Sequence, residues 1–357
     1  MKPDPYRIDT HKLHLHPARV AAWLAGENIA PLYMEISPTG ACNHRCSFCG
    51  MDFMGYRTRS LPVPILARRL RELGLLGLKS VMFAGEGEPF LVREIPTLAE
   101  AAKESGIDVA FTTNGVFLRP ETARAVLPHT SWIKISCNAG SAETHARVHG
   151  TSEKDFAQVL RNLEEAARIG RDSGSACTLG VQTLLLPENR REIARLAQLV
   201  RDCGADYLVV KPYSRHRKSL HEAYKDLSYA DCAELSEALS QYNGNGFTVI
   251  FRHEAMQRLS ETKAPYGRCL ALPFWAYADS GGNVWGCLRH IGEERFLYGN
   301  LVEESARDVF LGEKRLASME DIAGNMDISD CRTDCRMDPI NAYLWELRDP
   351  GSHVNFI

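Results

Sequence analysis

The sequence predicts an α/β protein: a parallel sheet, open or curled into a partial barrel, followed by a small cysteine-rich segment. Two observations carry the first part. Apolar runs of strand length alternate with amphipathic stretches of helical length over six repeats, and two of the helical stretches end in glycines suited to a left-handed cap. A third observation carries the second part, because beyond residue 260 prolines and glycines punctuate short segments that hold four cysteines. The candidate strands are 32–37, 80–84, 108–113, 132–138, 178–186 and 207–213. Helical periodicity covers 63–76, 95–105, 120–127, 153–169 and 190–203, with Gly106 and Gly204 as caps of the second and the fifth. Residues 226–260 read as a helical connection with Ser228 at its N-cap and Leu235 and Leu239 on one face. The expected organisation is an N-terminal extension over 1–30, a barrel over 31–225, the connection over 226–260 and the cysteine-rich part over 261–357.

With 357 residues, 45% hydrophobic and 24% charged, the chain can bury a substantial core and fits neither the disordered nor the membrane class. A formal charge of −3 and the lack of a basic arm argue against a nucleic-acid partner. The one concentrated positive stretch, Ser214-Arg215-His216-Arg217-Lys218-Ser219, reads as a solvated loop, with a clamp for a substrate phosphate or carboxylate as the alternative. No apolar run of membrane-spanning length and no charged-then-apolar leader is found, so a cytoplasmic protein without membrane association is expected. Eleven cysteines in a reducing compartment point to metal ligation rather than disulfides. Cys137, Cys177, Cys203 and Cys232 are scattered through strand-like and helix-like segments and read as small buried hydrophobes.

The other seven cysteines stand in clusters or beside turns. Just past the first strand comes Cys42-Asn-His-Arg-Cys46-Ser-Phe-Cys49. Three thiolates at this spacing on a loop can hold three irons of a four-iron cluster and leave the fourth iron without a protein ligand. A centre built only to pass electrons ordinarily has four cysteine ligands, so an open iron suits the binding of a small molecule. A zinc knuckle is the alternative, although zinc prefers matched ligand pairs and His44 is poorly placed as a fourth ligand. After the second strand stands Gly85-Glu86-Gly87-Glu88-Pro89. Its glycines permit close backbone approach, and Glu88 with exposed carbonyls can accept hydrogen bonds from an ammonium group.

The first loop resembles the Cys-x3-Cys-x-aromatic-Cys signature of the radical S-adenosylmethionine (SAM) superfamily, with Phe48 at the aromatic position, and residues 85–89 resemble that family's Gly-x-Gly-Glu-Pro motif. The resemblance implies a partial (β/α)6 barrel with its site at the C-terminal strand ends. It implies a [4Fe-4S] cluster on Cys42, Cys46 and Cys49, a low-potential electron donor such as flavodoxin or ferredoxin, and SAM held near Phe48, Gly85, Glu86, Gly87 and Glu88. Residues 132–138 resemble the family's fourth strand, where Ser136 and Asn138 would meet the ribose. His145-Ala-Arg147-Val-His149-Gly150 resembles the segment after it, with Arg147 facing the methionine carboxylate and His149 where many members carry a second arginine.

In a barrel covered by helices, apolar strand residues turn outward and alternate polar ones turn in. That rule sends Tyr33, Glu35, Ser37, Lys134, Ser136, Asn138, Gln182, Lys211 and Tyr213 inward. Glu35 and Lys211 are the candidates for contacting substrate or accepting a proton; a Glu35–Lys211 ion pair that fills the barrel is the alternative.

Cys269, Gly282-Asn-Val-Trp-Gly-Cys287 and Cys331-Arg-Thr-Asp-Cys335, arranged around a hairpin over 277–285, resemble the twitch domain, the short relative of the SPASM domain. This implies one auxiliary [4Fe-4S] cluster on Cys269, Cys287, Cys331 and Cys335, serving electron transfer; zinc on four cysteines is the alternative. The function expected is generation of a 5′-deoxyadenosyl radical that abstracts hydrogen from a carbohydrate-like small molecule (a sugar, aminocyclitol or nucleoside), leading to oxidation, epimerisation, dehydration or decarboxylation. A peptide or protein maturase and a non-catalytic iron–sulfur carrier or sensor are the alternatives. An epimerase would further need a hydrogen donor, for which the four scattered cysteines are candidates.

Overall fold

A computed structural model of the chain describes residues 6–8, 10–260, 264, 266–331 and 335–356. Six strands, β1 Tyr33–Ile36, β2 Ser80–Phe83, β3 Asp108–Thr113, β4 Trp132–Ser136, β5 Thr178–Leu184 and β6 Tyr207–Lys211, fall inside the six expected runs and pair in parallel, in order. Beyond them lie β7 Thr248–Phe251, β8 Trp275–Ala278, β9 Asn283–Trp285 and β10 Leu297–Asn300. The ten strands make one sheet in the order β10-β9-β8-β1-β2-β3-β4-β5-β6-β7.

The described helices are α1 Pro17–Leu24, α2 Val63–Leu75, α3 Ile95–Glu104, α4 Pro120–Val126, α5 Ala142–His149, α6 Glu153–Ser173, α7 Ile193–Asp202, α8 Ala233–Ser240, α9 His253–Arg258, α10 Ala306–Leu311, α11 Glu313–Asn325 and α12 Asp338–Arg348. Alternate strand residues, among them Met34, Ile36, Phe83, Phe111, Ile133, Ile135, Leu208 and Val210, are fully or nearly fully buried in one core with Leu66 and Leu70 of α2, Leu98 of α3, Leu163 of α6 and Leu196 of α7. Removing each such side chain from water contributes ~1.5–3 kcal/mol and fixes which strand face turns to the helices. Cys137 and Cys232 lie buried in this core, with Cys177 and Cys203 half-buried against it. Gly106 and Gly204 adopt the left-handed conformation foreseen for them.

Two expectations for 226–260 are corrected. The segment is not all helical: β7 lies between α8 and α9 and pairs in parallel with β6, Tyr207 opposite Thr248. Asn243-Gly-Asn-Gly ends the helical stretch, Gly244 and Gly246 take positive φ, and Phe247 leads into the short strand Thr248–Phe251. Ser228 is not the N-cap, because α8 starts at Ala233 and Ser228 Oγ instead accepts from the Ala230 amide at 3.5 Å. Leu239 is buried and Leu235 half-buried against the main core, as their spacing implied.

The hairpin foreseen at 277–285 is present as the antiparallel pair β8–β9. β8 also pairs in parallel with β1, Tyr33 opposite Trp275, so the cysteine-rich segment extends the barrel sheet rather than standing apart from it. No helix among the described residues is long and apolar enough to cross a membrane.

Candidate active site

The alternation that buries one face of the strands turns Glu35, Met82, Thr112, Lys134, Gln182 and Lys211, one from each of β1 to β6, into a shared cavity of about 400 Å³. A sheet whose six strands all reach one cavity is curved around it, as a partial barrel requires. Phe48, Cys49, Gly50 and Met51 line this cavity together with Cys269, Cys287, Cys331 and Cys335, so the two sets of cysteines face a common space.

Backbone packing brings the first cysteine loop against the glycine motif. The Glu88 amide donates to Ala41 O at 2.8 Å, and a Cβ on Gly87 would stand 2.2 Å from Thr39 O and 2.6 Å from Ala41 O. Gly85 takes φ +119°, and its Cβ would fall 1.9 Å from Ser37 Oγ. Only glycine fits either position. The loop also docks on the last turn of α5, where the amides of Arg45 and Ser47 donate to His149 O and Val148 O, each at 3.0 Å. These are carbonyls that a helix end leaves without intrahelical partners.

Burial pushes the Cys42 thiol up to about 11 and those of Cys46 and Cys49 upward as well. Neighbouring sulfur adds to the effect, Cys49 acting on Cys42, and both Cys49 and Cys42 on Cys46. Cys46 feels both other sulfurs and Cys42 feels Cys49, so the three share one space, and a cationic iron–sulfur cluster core is the kind of group that holds such thiols as thiolates. The residues present therefore fit the implied cluster. The C-terminal cysteines behave alike: burial lifts Cys287 to about 12 and Cys269 to about 11, with Cys335 the leading sulfur neighbour of both.

The model of the Radical SAM superfamily matches residues 36–200. Residues 36–200 form a radical SAM domain. A GTP 3′,8-cyclase of Chlorobaculum tepidum is 29% identical over 190 residues, covering 52% of this chain and 55% of the cyclase. An S-adenosylmethionine-dependent nucleotide dehydratase of Lacinutrix mariniflava is 28% identical over 112 residues, covering 30% of this chain and 23% of the dehydratase. Both of these relatives are named as enzymes. It spans about half the length of the cyclase, 55%. SuiB of Streptococcus suis, solved with its precursor peptide SuiA, superimposes with a TM-score of 0.64 at 20% identity, covering 87% of this chain and 71% of SuiB, a likeness of fold.

Within the radical SAM domain the individual site residues fare differently. Phe48 and Gly85 line the cavity, and Phe48 packs against Leu184, Leu186, Tyr213 and Tyr224. Glu86 Oε1 accepts from the Ser280 amide at 2.6 Å, while its Oε2 is buried with no partner among the described residues. Glu88 is spent on the protein: it accepts from Phe90 N at 3.1 Å, Thr113 Oγ1 at 2.6 Å and Asn114 N at 2.7 Å. Burial still lifts its carboxyl to about 7. An ammonium group near this motif is therefore left mainly with backbone carbonyls and Glu86.

Asn138, expected at the ribose, is instead a buried joint. Its Oδ1 accepts from Leu184 N at 2.5 Å and its Nδ2 faces His149 Nε2 at 3.3 Å, so both ends of the amide are used. Ser136 is half-buried at the end of β4. Arg147 is exposed on α5, apart from the residues that line the cavity, and His149 is the buried member of that segment.

Glu35 and Lys211 both line the cavity, but the Glu35–Lys211 pair is replaced. Glu35 forms an ion pair with Arg336 and accepts from Tyr33 Oη at 2.7 Å. Arg336 was invisible in the sequence, since it follows Cys335 with no periodicity to orient it. The basic run is likewise not a solvated loop. Arg217 pairs with Glu293, Lys218 Nζ donates to Ile291 O at 2.6 Å, and His216 stacks on Phe53 at 4.5 Å. Asp52, also unforeseen, anchors the far end by accepting from Ser219 Oγ at 3.2 Å and Leu220 N at 2.9 Å. The run thus joins the segment after Cys49 to residues 288–293, and Ser214, Arg215 and His216 form cavity wall.

Proposed function

We propose that this enzyme binds a [4Fe-4S] cluster on Cys42, Cys46 and Cys49, and SAM beside it against Phe48, Gly85, Glu86, Gly87, the backbone at Glu88, and Ser136. We further infer a second [4Fe-4S] cluster on Cys269, Cys287, Cys331 and Cys335 in a twitch-like segment over 261–357. When bound and reduced by a flavodoxin- or ferredoxin-like donor, the first cluster supplies the electron that cleaves the sulfonium C–S bond and frees a 5′-deoxyadenosyl radical. The chain's own residues then bind and orient the substrate and keep water from it.

The substrate proposed is a carbohydrate-like small molecule, a sugar, aminocyclitol or nucleoside, bearing an anionic group. The observation that carries this reading is the cavity of about 400 Å³, which has cysteines of both sets in its wall and Glu35, Lys134, Gln182 and Lys211 across its floor. That volume is in the range of pockets that enclose small molecules. Lys134, Lys211 and Arg336 supply cations for a phosphate or carboxylate, and Glu35, held by Arg336 and Tyr33, is placed to accept from a hydroxyl. The nucleotide chemistry named for the cyclase and the dehydratase agrees with a substrate of this class. Cys137, Cys177, Cys203 and Cys232 sit in or against the core between sheet and helices, which favours oxidation, dehydration or decarboxylation over an epimerisation quenched by one of them.

The test is anaerobic reconstitution, reduction, and assay of 5′-deoxyadenosine with panels of nucleotides, sugars and peptides. Release stimulated by anionic sugars or nucleotides supports the reading; stimulation by peptides alone overturns the substrate class.

A further inference from the structure

Three buried imidazoles meet behind the first cysteine loop. His145 and His149 stack at 4.2 Å, and His44 stands edge-on to both. Of the three, His149 has a hydrogen-bond pattern that fixes its protonation. The Asn138 backbone N–H, which can only donate, points at His149 Nε2 at 3.1 Å. Asn138 Nδ2 points at the same atom at 3.3 Å, and that end of the amide must be the NH2 because the other end accepts from Leu184 N. His149 Nε2 therefore carries a lone pair, which places the ring proton on Nδ1. Nδ1 stands 3.6 Å from Cys46 Sγ.

We propose that His149 donates a hydrogen bond from Nδ1 to the Cys46 thiolate and so raises the reduction potential of the cluster held by Cys42, Cys46 and Cys49. The inference rests on the first-cluster reading above and adds a tuning residue to it. Reduction adds negative charge that spreads onto the ligating sulfurs, and an N–H aimed at one of them stabilises the reduced form more than the oxidised one. The geometry is held from several sides. Arg45 and Ser47, flanking Cys46, are bonded to the last carbonyls of α5, the helix that carries His149, and a Cβ on Gly150 would meet Arg45 O at 2.2 Å. Phe48 meets the His149 ring edge-on at 5.1 Å. The chain Leu184 N–H to Asn138 Oδ1, Asn138 to His149 Nε2, and His149 Nδ1–H to Cys46 links the ends of β4 and β5 to a cluster ligand. His149 is thus a positioning residue that acts through Cys46.

The experiment is an EPR-monitored redox titration of the anaerobically reconstituted full chain, following the signal that responds to SAM. His149→Phe keeps a flat ring against His145 and Phe48 but removes both nitrogens; the His149→Gln amide can accept from Asn138 and donate to Cys46. The expected result is a cluster about tenfold harder to reduce in His149→Phe, a fall of ~59 mV for a one-electron couple, with most of the shift recovered in His149→Gln. An unchanged potential in a loaded His149→Phe overturns the inference while leaving the cluster assignment standing. Should that variant take up no iron, pulsed EPR of the wild-type protein decides: a nitrogen coupling that changes on 15N-histidine labelling supports the bond, and its absence refutes it. His44, Cys46 and His149 also bring ligand atoms within 4.8 Å of one another, so a single zinc held by those three residues overturns both readings.

Discussion

Replacing Gly87 by alanine tests how tightly the two motifs are pressed together. The added Cβ would stand 2.2 Å from Thr39 O and 2.6 Å from Ala41 O, and both obstacles are backbone, so no rotamer change relieves the clash. The carbonyls must retreat by about 1 Å to reach ordinary contact, which also stretches the Glu88 amide bond to Ala41 O. Overpacking of this kind costs about 1–3 kcal/mol and the lost hydrogen bond ~1 kcal/mol, about 2–4 kcal/mol together. With an unfolding entropy of ~2.1 cal/mol/K per residue, that amounts to roughly 3–5 °C in Tm for a chain of this length. The effect on SAM should be larger, since a displacement of ~1 Å at a reacting centre can cost ~100-fold in rate. Thermal unfolding, SAM affinity and 5′-deoxyadenosine release measure the two effects. The control is Gly170→Ala, within α6 with nothing inside 4 Å of the added atom, which should raise stability by up to ~1 kcal/mol without touching turnover. If Gly87→Ala matches wild type in both Tm and SAM affinity, the motifs are not packed as described.

Further outcomes follow from the cavity. Arg336→Ala should destabilise by about 1–2 kcal/mol, less than a fully buried pair because the arginine side chain is 41% exposed, and adding Glu35→Gln should recover most of it in a double-mutant cycle. Burial, with help from Arg252, lowers the Lys134 ammonium to about 8. Affinity for an anionic substrate should therefore fall as pH rises through about 8, and Lys134→Met should remove that step. Between about 8 and the ordinary 10.5 the unfolded chain holds a proton the folded one has released, so stability should rise with pH across that window. Iron and sulfide should each approach eight per chain and fall to about four in Cys287→Ala; four irons with one zinc would contradict the second cluster.

Much of the barrel was legible because its signal is local. A strand such as Ile133, Ile135 and Cys137 alternating with Lys134 and Ser136 states its own two faces, and helices ended by Gly106 and Gly204 state their own stops. The cysteine loop and the glycine motif were readable for the same reason, as short patterns in fixed order. What escaped was long-range. Thr248–Phe251 is too short to announce itself as a strand without β6 beside it, and nothing in Trp275–Ala278 says that it pairs with β1. Partners chosen by the fold escaped too: Glu35 finds Arg336, 301 positions along the sequence, rather than Lys211. Asn138 and Glu88 carried the right residue types for ligand contact, but burial left their polar atoms to satisfy backbone amides first, as buried groups must. His149 was read only as a departure from a pattern; its role depends on a backbone amide that no sequence motif encodes.

The most direct test adds SAM to the reduced, reconstituted protein and records the cluster's EPR spectrum before and after. An iron left uncapped by Cys42, Cys46 and Cys49 predicts a changed signal together with 5′-deoxyadenosine in the supernatant. A spectrum indifferent to SAM, with no nucleoside released, contradicts the account.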